Sequence, residues 1–215
     1  MKEYSFTTYN IFKAHFPFVR QNVGTLCMRN DFVALQEWVS TLHVRADEHI
    51  ATCTTFTIPF RHVATGTATI SKHAPENILE LTSRERELGL ATRKSMLLTS
   101  HTLPCGTTLH IANIHSLNFV LNGTWKKQID YFIDHLPKTG SLIFAGDFNT
   151  WNPWRFDYLE EALRRHHLQY ANYDRNIIMR LDHIFTRGLH VIETKEDSNM
   201  HTSDHYPVTM RFKIQ

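Results

Sequence analysis

Asp147 and Asn149 follow directly after "SLIFAG", an apolar run of the kind that forms a buried strand. Side chains two residues apart on an extended segment lie on the same face, so this carboxylate and this amide point together. Gly, Asp and Asn also end strands in ordinary turns. The pair alone therefore suits either a polar site or a turn, and other parts of the chain must decide between them.

Chemically capable side chains recur at the ends of other strand-like runs. They are Asn10, Glu37, His115, Asn118, Asp182, Asp204 and His205. Each one alone could cap a helix, face solvent or belong to a turn. Functional sites are commonly built from loops at one rim of a sheet scaffold. Because polar side chains follow so many of the predicted strands, we predict that they form one shared site.

The elements that must position these residues are mostly strands. Runs rich in β-branched and aromatic residues predict strands at 4–11, 31–38, 49–58, 65–71, 94–103, 108–116, 141–149, 181–187, 189–195 and 206–214. Helices are predicted at 12–29, 123–136 and 155–168. Many strands with few helices favour an α/β or α+β fold in which mixed sheets pack face to face with helices outside.

Composition is that of an ordinary globular protein. The chain has 215 residues, 42% hydrophobic and 20% charged, and we predict a single domain over 1–215. A formal charge of +2 neither supports nor excludes a nucleic-acid partner. Three cysteines without a CxxC pair favour a reducing, cytoplasmic setting. Neither an export signal nor an apolar run of about 18 residues is visible, so no transmembrane segment is predicted.

The ordered motifs "YNI", "LQE", "NIH" with Asn118, "GDFN", "LDHIF" and "SDHYPV" resemble those of the endonuclease/exonuclease/phosphatase superfamily. They run from residue 9 to residue 208, which is nearly the whole chain. The resemblance implies a four-layer α/β sandwich, in which two central sheets are flanked by helices and a metal site lies at one edge.

By the same resemblance, Glu37 is the main ligand of Mg²⁺, for which Mn²⁺ could substitute. Asn10 lies beside it and Asp204 close by. His205 is similar to the family histidine that faces the scissile phosphate, and Asp182 would accept its second ring proton. A hard cation of this kind stabilises charge on phosphoryl oxygens and assists the leaving oxygen.

The resemblance also gives a role to the opening pair. Asp147 would orient or deprotonate the attacking water, while the Asn149 amide donates to a phosphoryl oxygen. His115 would be a second acid or phosphate contact, and Asn118 a phosphate donor. In the deoxyribonuclease-like branch a glutamate partners this histidine, and both Glu85 and Glu87 are suitably placed in the sequence.

The implied function is a Mg²⁺-dependent, nuclease-like phosphodiesterase, endo- or exonucleolytic, acting on DNA or RNA. One alternative is a phosphatase or sphingomyelinase-like enzyme acting on a lipid or small-molecule phosphoester with the same residues. A second alternative is a non-catalytic binding module on the same scaffold. The chain departs from the abasic-site branch at Phe12, where that branch has an acid, and it lacks the paired cysteines of secreted deoxyribonucleases.

Overall fold

Two mixed six-stranded sheets form the centre of the molecule. The computed structural model describes residues 2–43, 45–58, 62–87, 92–171 and 181–215. The first sheet has the order β11-β12-β1-β2-β4-β3 and the second β5-β6-β7-β8-β10-β9. The strands are β1 Glu3–Asn10, β2 Phe32–Val39, β3 His49–Ile58, β4 Val63–Ser71, β5 Asn77–Thr82, β6 Ser95–Thr102, β7 Thr108–His115, β8 Ser141–Asp147, β9 Gln169–Tyr170, β10 Asp182–Arg187, β11 Leu189–Glu196 and β12 Val208–Ile214.

The main core lies between the two sheets. Alternate residues of a strand point to one face, so β1 and β2 direct Phe6 and Phe32 inward. From the second sheet, Ile111 and Ile143 meet them. All four side chains are fully buried. This shared apolar layer fixes the distance between the two sheets, and with it the distance between the residues at their edges.

Among the described residues, three α-helices cover the outer faces: α1 Val19–Arg29, α2 Asn122–Ile133 and α3 Pro153–Arg164. On α1, Val19 and Val23 are four residues apart and pack on the outer face of the first sheet. Trp125 and Ile129 of α2 and Leu159 of α3 pack on the second sheet. The predicted α/β sandwich with four layers is confirmed.

The predicted helix over 12–29 is wrong in its first seven residues. A short 3-10 helix, Phe12–Ala14, precedes α1, and α1 begins only at Val19. Four non-glycine residues of this segment have positive φ angles, among them Lys13 at 53° and Phe18 at 66°. Such angles are incompatible with a continuous right-handed helix.

Strands β5 and β9 were not predicted. In β5, four consecutive residues are exposed and only Leu81 is buried, so this edge strand lacks the alternation that identifies a strand. Strand β9 has two residues, too few for any periodic pattern. The ten predicted strands are all present.

Candidate active site

Three neighbouring strands of the second sheet bring His115, Asp147 and Asp182 side by side. The parallel pairing of β7 with β8 sets His115 opposite Asp147, and the antiparallel pairing of β10 with β8 sets Asp182 opposite the same residue. Opposed residues in a sheet share a face. The row at this sheet edge therefore follows from register alone.

The first sheet contributes Asn10 and Glu37 to the same edge. Asn10, the last residue of β1, is in register with Gln36 of β2. The β2–β4 pairing shifts register between Leu35 and Trp38, and Glu37 has φ 53°. A bulge of this kind re-aims a side chain. The Asn10 Nδ2 donates to Asp147 Oδ2 at 3.0 Å, which joins the two sheets at the site.

Asp147 lies at the centre of the cluster and is only 2% exposed. Besides Asn10, its Oδ2 has His115 Nε2 at 3.5 Å and His205 Nε2 at 3.9 Å. Its Oδ1 accepts from the Asn149 backbone N–H at 2.9 Å. Burial raises the pKa of this carboxyl to about 7, against the opposing effect of the nearby His205.

His205 and Asp182 form a close pair. The His205 Nδ1 lies 2.5 Å from Asp182 Oδ2, and because a carboxylate only accepts, the ring nitrogen donates. Burial lowers the pKa of His205, but the charge and hydrogen bond of Asp182 and the charges of Asp147 and Asp204 outweigh it and raise that pKa to about 10. The imidazolium is thus held with its Nε2 edge toward Asp147.

Asn149 and Gly146 make the tight exit from β8. A Cβ on Gly146 would lie 2.0 Å from the Ile114 carbonyl oxygen, so only glycine fits there. Asn149 has φ 50°, and its Nδ2 donates to the Ser116 carbonyl at 2.9 Å. Within the described part of the chain, its buried Oδ1 has no hydrogen-bond partner. One amide hydrogen is therefore engaged, and a buried acceptor is left to meet a ligand or water.

Lys94 was missed by the sequence analysis. Its Nζ lies 2.9 Å from His115 Nε2, 3.6 Å from Glu87 Oε2 and 4.0 Å from Glu37 Oε1. Of the two glutamates that the sequence offered, it is Glu87 that lies beside this lysine. Burial, and next the charge of Lys94, hold the pKa of His115 well below its usual range. A single lysine at the start of a strand carries no motif that could have revealed it.

Asn118 and Asp204 lie further from the centre. The Asn118 backbone N–H donates to Glu87 Oε1 at 2.7 Å, and its carbonyl accepts from Arg155. Asp204 is exposed and accepts from Ser203 Oγ at 3.1 Å. The structure thus brings seven of the nine predicted residues into one cluster and leaves these two at its border.

Arg155, also missed, holds the loops of the second sheet in place. It is fully buried in the first turn of α3, and burial lowers its pKa to about 10. Its guanidinium donates to the carbonyl oxygens of Asn149 at 2.9 Å and Val120 at 2.7 Å. The loop after β7 and the loop after β8 are therefore tied to one side chain.

A sequence model described as the endonuclease/exonuclease/phosphatase family matches residues 7–205. The chain belongs to this family. A UPF0294 protein of Vibrio campbellii is 30% identical over 164 residues, which are 72% of this chain and 57% of that protein. The chain spans about half the length of the curated relatives it matches.

Solved structures of the family share the fold. An endonuclease/exonuclease/phosphatase from Beutenbergia cavernae has a TM-score of 0.81 at 16% identity, over 100% of this chain and 72% of that one. D. rerio TDP2 complexed with a single-strand DNA product has a TM-score of 0.71 at 15% identity, over 99% of this chain and 100% of that one. None of the helices in the described ranges is long and apolar enough to span a membrane.

The donors at this edge suit the divalent metal on which the family generally depends. Across the described residues, no three His, Cys, Asp or Glu side chains gather as a closed metal centre. Mg²⁺ does not require one, because it takes one or two carboxylates and keeps several waters. Glu37 and the Asn10 amide oxygen are hard oxygen donors on adjacent strands. Lys13 Nζ lies 2.9 Å from Glu37 Oε2 on a half-exposed side chain, and a metal ion at that oxygen would displace it.

Proposed function

We propose that this family member hydrolyses phosphodiester bonds by attack of a water on phosphorus, with nucleic acid as its substrate. The observation that carries the proposal is the position of Asp147, which lies within 4 Å of Asn10, His115 and His205. This buried carboxylate, with donors in Asn10 and His205 and the His115 ring beside it, is placed to hold a water against a phosphate.

Asp147 accepts a proton from the attacking water, and the Asn149 Oδ1 orients that water by accepting its other hydrogen. Oδ1 is buried without a partner among the described residues. The sequence suggested that the Asn149 amide donates to a phosphoryl oxygen, and one hydrogen of its Nδ2 already donates to the Ser116 carbonyl. The remaining Nδ2 hydrogen can still donate to a phosphoryl oxygen. A well-placed donor is worth about 10²–10³ in rate.

His205 supplies positive charge at the phosphoryl oxygens. Its Nδ1 is bound by Asp182 at 2.5 Å, so Nε2 carries the proton that faces the substrate. Asp182 fixes the orientation of the ring and favours the imidazolium. The pair needs no rearrangement when charge develops on the phosphate, which is the condition for efficient electrostatic stabilisation.

Glu37 and Asn10 would hold the divalent metal, and the exposed carboxylate of Asp204 is the third ligand that the resemblance implies. When bound, Mg²⁺ would neutralise phosphoryl and leaving oxygens. Glu37 is presented by the β2 bulge, and Asn10 is fixed from the other side by its hydrogen bond to Asp147. Glu37 is therefore aimed by the strand backbone, and Asn10 by a hydrogen bond to the neighbouring sheet.

Nucleic acid is favoured as the substrate by one fold neighbour, TDP2, which was solved with a single-strand DNA product. A second candidate is a phospholipid diester. It is favoured by apolar side chains that project from loops following the site strands, namely Phe18, Phe119 and Leu121, which are 71%, 69% and 83% exposed. Exposed apolar groups of this kind mark contact with lipid or with a partner surface.

The test is to incubate the purified chain with supercoiled plasmid, a single-stranded oligonucleotide and phosphatidylcholine vesicles, each with Mg²⁺ and with EDTA. Asp147→Asn is the matched inactive control. Cleavage of either nucleic acid that requires Mg²⁺ and is absent in the variant is the expected result. Cleavage of the vesicles alone would move the substrate to lipid, and no hydrolysis of any diester by the folded, metal-loaded chain would contradict the proposal.

A further inference from the structure

Lys94 stands where the resemblance places a carboxylate beside an imidazole. Glu87 was one of two candidates to partner His115 directly. In the structure the lysine lies between them, with its Nζ 3.6 Å from Glu87 Oε2 and 2.9 Å from His115 Nε2. The expected pair is thus replaced by a row of three groups with a cation in the middle.

The direction of the lysine–histidine contact follows from chemistry. An ammonium group has three hydrogens and no acceptor, so His115 Nε2 accepts from Lys94 and carries no proton itself. A histidine held in this way cannot donate a proton through Nε2 while the contact lasts. Of the two roles that the resemblance gave to His115, the phosphate contact therefore passes to Lys94, and neither residue acts as a second acid.

The surroundings of Lys94 allow a nearly buried ammonium. Its side chain is 12% exposed, and Glu37 Oε1 and Glu87 Oε2 lie 4.0 Å and 3.6 Å away. Two carboxylates at these distances offset the desolvation of one cation. Lys94, Lys13, Glu37 and His115 line a single narrow cavity at the site edge, so the ammonium is in reach of a group bound there.

We propose that Lys94 is a further catalytic residue, whose ammonium contacts a non-bridging oxygen of the scissile phosphate while His115 and Glu87 position it. This rests on the proposed phosphodiester hydrolysis. Lys94 and His205 then both bring positive charge to a phosphate held at Asp147. Lys94 Nζ lies 2.9 Å from His115 Nε2, which is 3.5 Å from Asp147 Oδ2, and His205 Nε2 lies 3.9 Å from the same oxygen. Only charge is supplied by Lys94, and no proton is transferred to or from it.

The experiment compares Lys94→Met, Lys94→Arg and the control Lys213→Met, which removes a lysine of β12 paired in register with Glu3 at the opposite end of the sheet. Two quantities are measured on each folded protein. The first is kcat for hydrolysis of bis(p-nitrophenyl) phosphate with Mg²⁺. The second is the affinity for inorganic phosphate in EDTA, by calorimetry, which a merely structural lysine would not change.

Loss of a charge-assisted contact predicts about tenfold to hundredfold weaker phosphate binding in Lys94→Met. The same variant should lose about 10²–10³ in kcat. Lys94→Arg should recover part of both, and Lys213→Met should match the parent. Equal phosphate affinity in the parent and Lys94→Met, or no phosphate binding by the parent, would overturn the proposal.

The two proposals fail in different ways. If the parent chain hydrolyses no phosphodiester, the proposed function is wrong. The phosphate titration still decides in that case whether Lys94 binds a phosphoryl group. If the parent chain hydrolyses diesters and Lys94→Met has unchanged phosphate affinity, the proposed function stands and the proposed role of Lys94 is wrong. Thermal unfolding of each variant identifies any loss of kcat or of phosphate affinity that comes from misfolding.

Discussion

Two histidines with little solvent exposure, one at each end of the sandwich, have opposite acid–base properties. His205, at the site edge, contacts Asp182 and lies near Asp147, and its pKa is raised to about 10. His101 ends β6 at the opposite edge, where its Nδ1 donates to the His73 carbonyl and its Nε2 accepts from the Thr99 hydroxyl. Burial lowers the pKa of His101 to about 4, and its hydrogen bond to His73 opposes this only in part.

The difference lies in the neighbours, because both rings are largely removed from water. Carboxylates surround His205 and favour its charged form, whereas His101 meets a carbonyl acceptor, a hydroxyl donor and the ring of Phe32 at 5.2 Å. The two edges of the sandwich also differ in backbone conformation. Glu37 and Asn149 at the site edge have positive φ angles. For a residue other than glycine, this backbone conformation lowers the free energy of unfolding by about 1–3 kcal/mol. The site edge therefore concentrates carboxylates around its histidine together with positive φ angles, whereas His101 at the opposite edge is packed among neutral groups.

Asp147→Asn gives the largest expected effect. Removing the carboxylate that holds the attacking water should lower kcat by about 10³–10⁴. Some stability should be lost although the fold is kept, because the Asn149 N–H retains an acceptor but the new amide nitrogen faces the Asn10 Nδ2 donor and His205 loses a counter-charge. Steady-state kinetics with Mg²⁺ and urea unfolding measure the two quantities. Parent-like turnover would remove Asp147 from the chemistry.

His101→Gln should act on stability and not on turnover. In the unfolded chain this histidine titrates near its ordinary pKa of 6.5, while in the folded protein it stays neutral down to about pH 4. The unfolded state therefore binds more protons in this window, so stability falls as pH drops from 6.5 to 4, by up to about 3 kcal/mol from this group. Glutamine does not titrate and can keep both hydrogen bonds.

The measurement is the free energy of unfolding at pH 7.5, 6, 5 and 4 for the parent and the variant. The two curves should diverge toward acid, with the variant losing less stability. Parallel curves would mean that His101 does not titrate as its surroundings imply.

Glu37→Gln has the smallest expected effect, about a tenfold loss in Mg²⁺ affinity, since a neutral amide is a poorer ligand for a hard cation. Calorimetric titration with Mg²⁺ measures it directly, and raising the Mg²⁺ concentration should restore part of kcat. The exposed Glu80 on β5 provides a matched control as Glu80→Gln. Unaltered Mg²⁺ affinity in the Glu37 variant would place the metal on other ligands.

The strands that carry the site could be predicted because each is buried on at least one face. Strand β8, for example, is buried along its whole length, and the polar residues that follow it stand out against that apolar run. Register was not predictable, although it is register that puts His115 and Asp182 on either side of Asp147. Pairing depends on residues far apart in sequence, and no local pattern encodes it.

Lys94 and Arg155 were not predictable for a related reason. Basic residues at the start of a strand or helix are normally solvated, and nothing in their immediate sequence distinguishes these two. Their importance comes from what the fold brings to them, namely two carboxylates and an imidazole for Lys94 and carbonyl oxygens of two loops for Arg155. The helix start was misplaced since Phe12–Ala14 adopts positive φ angles that its composition does not demand.

The most direct test of the account is hydrolysis in ¹⁸O-labelled water under single-turnover conditions, with Mg²⁺ and an oligonucleotide substrate. Attack by a water held at Asp147 predicts one ¹⁸O atom in the phosphate product and none in the released alcohol, and the signal should be lost in Asp147→Asn. Cleavage that leaves the phosphate unlabelled, or that labels it equally in the variant, would contradict the account.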